Sequence, residues 1–115
     1  MKWNSLNNVE QLNAIREESK IQSVIIFKHS TRCSISAAVL NRIERAWKEA
    51  ETDNIKPYYL DLIKHRDISK QIEEDFNVQH ESPQVLIIKD GKSIYNASHT
   101  AITYSTILKK AQADL

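Results

Sequence analysis

The sequence predicts an α/β fold, a mixed four-stranded sheet flanked by helices on both faces, and three features point to it. Val24-Ile25-Ile26-Phe27 and Val85-Leu86-Ile87-Ile88 are apolar without alternation, as strands covered on both faces are. Around them run amphipathic stretches whose apolar residues step by three and four. Asp90-Gly91 separates two strand-like runs and readily takes the positive φ of a type I′ hairpin turn.

Taken in order, Asn8 is placed to cap a first helix in which Val9, Leu12 and Ile15 recur at helical spacing, with Arg16, Glu17 and Glu18 on the wet side. Ser23 to Lys28 is β-branched and aromatic, and reads as a central strand. From about Ser34 to Ala50, Ile35, Val39, Ile43 and Trp47 step by four and predict the longest helix, with Arg42, Glu44, Arg45, Lys48 and Glu49 facing out. Pro57 to Leu62 is a second strand, in which the proline fits only the first residue or an edge. Asp67 is placed to cap a helix carrying Ile68, Ile72 and Phe76. The segments on either side of Asp90-Gly91 form an antiparallel pair, and Thr103 caps a last helix with Ile107, Leu108 and Ala111 on its dry side. The order αβαβαββα gives one right-handed parallel βαβ unit followed by a hairpin in the same sheet.

A chain of 115 residues predicts a single domain spanning residues 1–115. Sixteen Lys and Arg against fifteen Asp and Glu leave a charge of +1, so no net field draws the chain to nucleic acid or to an anionic membrane. No apolar run approaches a membrane span, and "MKWNSLNNVEQ" lacks the apolar centre of a secretory signal, so a cytoplasmic location is expected. Gly91, the sole glycine, excludes Walker and dinucleotide loops, which need several. His29, His65, His80 and His99 share no metal-ligand spacing, and no metal site is expected.

The one cysteine, Cys33, forms no intramolecular disulfide and suits a reducing compartment. It follows a buried strand and opens the longest predicted helix, where unpaired N–H groups and the positive end of the macrodipole favour a thiolate. Arg32 and Lys28 add positive charge nearby, and Thr31, Ser34 and Ser36 are small hydroxyls able to donate to sulfur. A free cysteine often serves only as a small buried hydrophobe, but the helix start and polar flanks favour the reactive reading. Ser36 stands three residues on, giving Cys-x-x-Ser. A hydroxyl cannot resolve a mixed disulfide, so release needs an outside thiol. His29, four residues before Cys33, is a secondary candidate for tuning it.

Strand, Cys-x-x-Ser helix, two further elements and then Ser82-Pro83 before a hairpin resemble the thioredoxin superfamily over nearly the whole chain. More narrowly, "FKHSTRCSIS", "ESPQVLIIKDGK" and "ASHTAIT", in that order, resemble the monothiol bacilliredoxins of the bacillithiol system. The resemblance implies a thioredoxin-like fold and a thiol–disulfide exchange enzyme that removes bacillithiol from S-bacillithiolated client proteins. Cys33 would be its nucleophile and Ser36 would stand where other members carry a resolving cysteine. It further implies no bound cofactor, bacillithiol as cosubstrate and a separate bacillithiol disulfide reductase as partner; a monomer is expected. Pro83 matches the superfamily's cis-proline, leaving the backbone of Ser82 open to substrate, and Ser98, His99 and Thr100 fall where thiol ligands are contacted; a capping loop for the last helix is an equal reading of those three. Members often carry proline directly after the cysteine, where this chain has Ser34. The competing expectations are a non-catalytic thioredoxin-like interaction module and a glutathione-linked monothiol glutaredoxin or iron–sulfur carrier.

Overall fold

The computed structural model describes residues 1–113, and its elements are β1 (Asn4–Ser5), α1 (Gln11–Glu18), β2 (Ser23–His29), α2 (Ser34–Ala46), β3 (Ile55–Asp61), α3 (Arg66–Phe76), β4 (Gln84–Lys89), β5 (Lys92–Ser98) and α4 (Tyr104–Gln112). Short 3₁₀ turns occupy Glu49–Glu51 and His99–Ala101. The sheet has five strands in the order β1-β3-β2-β4-β5, parallel on the β1 and β3 side and antiparallel through β4 and β5. Among the described residues no helix is long and apolar enough to cross a membrane.

The strand beyond the four expected is β1. Its two residues are polar and exposed, and they join the sheet through backbone pairing, with Leu6 N–H following on to Tyr59 C=O at 2.9 Å. No apolar alternation marks such a strand. Pro57 proves to lie inside β3, opposite Ile25. The Tyr59 carbonyl receives Leu6 N–H, and the Pro57 carbonyl receives the Asn4 side-chain amide at 3.0 Å, so both face the β1 side. The Pro57 nitrogen faces that way too, and β1 begins only level with Tyr58, so the missing N–H removes no ladder bond.

Each strand of the centre presents alternate residues to opposite faces. Val24 and Ile26 pack with Leu12, Ile15, Ile68, Ile72 and Phe76 beneath α1 and α3. Ile25 and Phe27 pack with Val39, Ile43, Ile107 and Ala111 beneath α2 and α4. These two layers bury the strands on both sides, which is why their sequences do not alternate.

Helix boundaries depart from the sequence reading in four places. Val9 is exposed and the first helix starts at Gln11, whose N–H donates to Asn8 Oδ1 at 3.2 Å while its own Oε1 accepts the N–H groups of Asn7 and Asn8. In α2 the buried line is Ser36, Val39 and Ile43, and Ile35 is 51% exposed. That helix stops at Trp47, whose extended backbone seats its ring against Trp3 and Tyr104. In α3, His65 holds the cap position and Asp67 lies in the first turn, and Asn77, at φ 55°, ends the helix. Thr103 does cap α4, accepting Thr106 N–H at 3.3 Å.

The β4–β5 turn has φ of 50° at Asp90 and 77° at Gly91, the pairing a type I′ turn requires. It is pinned to the end of α1, with Asp90 N–H donating to the Ser19 carbonyl and Gly91 N–H to Ser19 Oγ at 2.8 Å. Nothing lies within 4 Å of where a Cβ on Gly91 would stand, so its replacement strains only the backbone. Gly91→Ala is expected to lower the unfolding free energy by about 1 kcal/mol, read from urea denaturation.

Candidate active site

The site forms at the end of β2, where two consecutive residues with charged or titratable side chains leave the strand toward opposite faces of the sheet. Lys28 follows the parity of Val24 and Ile26 and enters the α3 layer, fully buried, with Nζ 3.2 Å from Nδ1 of His80. Ser69 Oγ of α3 lies 3.1 Å from the same nitrogen. An ammonium has only donors, so Nδ1 accepts from a charged Lys28. Burial lowers the Lys28 pKa to about 8, with the Glu73 carboxylate opposing the shift. Burial, with the Lys28 charge second, also holds His80 below the ordinary imidazole range, against the pull of Glu73 and Glu81.

His29 follows the parity of Ile25 and Phe27 and enters the α2 layer, also buried, with Nδ1 2.6 Å from Ser36 Oγ. Burial lowers its pKa, while the Asp61 and Glu44 carboxylates act the other way. Ser30 N–H donates to the same Ser36 oxygen at 3.1 Å. Ser36 thus joins the strand end, the loop and the first turn of α2. This corrects its expected service to the sulfur: its hydroxyl is paired with His29 and Ser30, and no side chain among the described residues hydrogen-bonds Cys33.

Cys33 is the residue before the helix rather than its first member, with φ −108° and ψ 119°. Its N–H donates to the Ser30 carbonyl at 3.1 Å and its carbonyl accepts Ala37 N–H at 3.0 Å, which closes the loop and opens the helix in a single residue. The thiol is free and half-buried, with Thr31, Arg32 and Ser34 exposed around it. Among the described residues no side chain caps α2, which leaves its first N–H groups open at the sulfur's end.

Antiparallel pairing sets Gln84 opposite Lys28, which brings the preceding Ser82–Pro83 to the end of the sheet where His29 and the Cys33 loop lie. The Ser82–Pro83 peptide bond is cis. Pro83 is buried, and Ser82 Oγ is buried without a hydrogen-bond partner among the described residues. The Pro83 carbonyl accepts His99 N–H at 3.0 Å, and the Ser98 hydroxyl donates to the Glu81 carboxylate, which draws the end of β5 to the same place. His99 and Thr100 are exposed on the turn that follows, and Arg42 of α2 holds that turn by donating to the Ile102 carbonyl.

Sequence reasoning missed the group on the other face of Cys33's loop, where Ser30, Arg32, Arg66, Ser69, Lys70, Glu73 and His80 line a cleft of about 530 Å³. A signal for it existed. Lys28 directly follows the apolar run Val24 to Phe27 in a strand read as central, and a lysine is almost never buried without a partner.

Residues 4–107 match the family described as monothiol bacilliredoxin BrxC. Among solved structures, a protein described as a candidate oxidoreductase with a thioredoxin fold aligns at TM-score 0.79 and 32% identity, covering 92% of this chain and 90% of that one. The thioredoxin of Malassezia sympodialis aligns at TM-score 0.73 and 15% identity over 96% of this chain and 90% of its own, and that of Fasciola hepatica at 0.72 and 14% over 96% and 97%. These likenesses establish a thioredoxin-like fold.

Two consequences of the buried polar groups are measurable. The Lys28 pKa is lower in the folded chain than in the unfolded one, so between pH 8 and about 10 the unfolded state binds more protons and stability rises with pH, by up to about 3 kcal/mol. Lys28→Met is expected to remove that rise in urea titrations run across the window. Ser36→Ala leaves His29 Nδ1 and Ser30 N–H without their partner and is expected to cost about 1–3 kcal/mol in the same assay at pH 7.

Proposed function

Because this chain belongs to the monothiol bacilliredoxin family, whose fold and kinship carry a redox role, we propose that it is a thiol–disulfide exchange enzyme that removes bacillithiol from S-bacillithiolated client proteins. The observation that carries the reading is Cys33 itself: the chain's single sulfur nucleophile, partly open to solvent, held at the uncapped start of α2.

In the proposed cycle the Cys33 thiolate attacks the bacillithiol sulfur of the client's mixed disulfide. That S–S bond breaks, the client's cysteine leaves as a thiolate and takes up a proton, and bacillithiol is now disulfide-bonded to Cys33. A second bacillithiol, as thiolate, attacks the bacillithiol sulfur of this adduct, Cys33 leaves, and the product is bacillithiol disulfide. The net reaction exchanges one disulfide for another: the client's mixed disulfide and one bacillithiol thiol give the client's thiol and bacillithiol disulfide. The bacillithiol disulfide is returned to thiol by a separate reductase.

Resolution from outside is supported by the side chain at residue 36, a hydroxyl already paired with His29. Ser34, where many members have proline, keeps a backbone N–H beside the sulfur. In this reading the Ser82 backbone beside Pro83, with Ser98, His99 and Thr100, meets the incoming disulfide. The reducing cytoplasm is the proposed location, since an unpaired reactive thiol persists there.

Intact mass after mixing with bacillithiol disulfide is expected to show one bacillithiol adduct, mapping to Cys33. Cys33→Ser should lose both this adduct and all removal of bacillithiol from a client; retained removal would exclude Cys33 as nucleophile.

A further inference from the structure

The cleft beside the Cys33 loop has a composition that the exchange chemistry at sulfur does not use. Arg32, Arg66 and Lys70 stand exposed along it, and among the described residues none of the three makes an ion pair or a side-chain hydrogen bond. Ion pairs join Arg16 to Asp75, Lys20 to Glu17 and Lys56 to Glu18, while what sets Arg32, Arg66 and Lys70 apart is that they share one concavity. The acid lining the cleft, Glu73, accepts His80 N–H at 2.7 Å, and its single negative charge leaves the three cations in excess. Buried Lys28 adjoins this wall through His80. A protein with a charge of +1 overall therefore concentrates unpaired positive charge in one concavity. Its volume of about 530 Å³ lies within the range of small-ligand sites.

The location identifies the ligand's attachment. Arg32 immediately precedes Cys33, and the Cys33 N–H is bonded to the carbonyl of Ser30, another lining residue. The cleft therefore adjoins the loop that carries the sulfur. Guanidinium groups match carboxylates with paired, charge-assisted hydrogen bonds. We propose that this cleft binds the carboxylate-bearing end of the low-molecular-weight thiol transferred to Cys33, with Arg32, Arg66 and Lys70 as its ligands and Ser69 and His80 as its polar wall. The proposal rests on the reading that Cys33 exchanges a small thiol, and it adds how that thiol is selected: by its negative charge.

The test compares the rate at which Cys33 of the full chain forms an adduct, by intact mass, with three disulfides. Bacillithiol disulfide and glutathione disulfide carry carboxylates, and bis(2-hydroxyethyl) disulfide is uncharged. The double variant R66Q/K70Q alters two exposed residues and should fold normally. It is expected to react roughly tenfold or more slowly with the two carboxylate-bearing disulfides and within about twofold of the parent with the uncharged one. K109Q/K110Q, which removes two charges from α4 instead, should leave all three rates within about twofold, separating the cleft from net charge. Equal slowing of all three reactions by R66Q/K70Q, or none, overturns the proposal. So does an equal response to K109Q/K110Q. Should the parent chain take up glutathione but not bacillithiol, with the same dependence on residues 66 and 70, the bacillithiol reading falls while the cleft assignment stands. Unchanged bacillithiol uptake by R66Q/K70Q does the reverse, and no adduct from any disulfide overturns both.

Discussion

Everything at this site depends on the two-residue period of a strand that is covered on both sides. β2 has no solvent-facing edge or face along its length, so when its sequence turns polar the side chains cannot escape to water. They must find partners in whichever layer they enter. Lys28 finds His80 and Ser69 in one, and His29 finds Ser36 in the other. The loop that carries the sulfur begins at the next residue and inherits its position from both anchors. A shift of one residue in the register of β2 would exchange the two layers and dismantle both sets of hydrogen bonds.

The His29–Ser36 contact explains why a hydroxyl is suited to the position three residues past the cysteine. Oxygen there accepts the Ser30 N–H and meets the imidazole at 2.6 Å, a separation typical of oxygen partners and too short for sulfur. The same contact sets the rotation of α2. With Ser36 turned to the core, Ile35 is forced outward, leaving an isoleucine exposed two residues from the thiol.

This also marks what was readable from residues alone. The central strands, the Asp90-Gly91 turn, the Thr103 cap and the siting of Cys33 between strand and helix are local features of composition and period, and the chain carries them openly. The phase of α2 was not legible, since 35-39-43 and 36-39-43 are both acceptable helical stripes, and a hydrogen bond from another element chose between them. The end of α2 at Trp47 depends on Trp3 and Tyr104, each more than forty residues away in sequence. β1 carries no apolar signal, because backbone pairing and the Asn4 side-chain amide place its two exposed polar residues. The cleft collects residues from the loop at 30–32, the stretch 62–73 and His80, so only the folded chain brings its charges together.

The proline in β3 has a bearing on life in a crowded solution. Where β1 stops short, the outer margin of β3 continues past it with Pro57, which offers a carbonyl already engaged by Asn4 and no hydrogen to give. A stray extended segment trying to lengthen the sheet at that margin meets a gap in the donor pattern that a templating rim requires. Two polar residues and one imino acid thereby shield from unwanted self-association a flank that an ordinary aliphatic strand would have left adhesive.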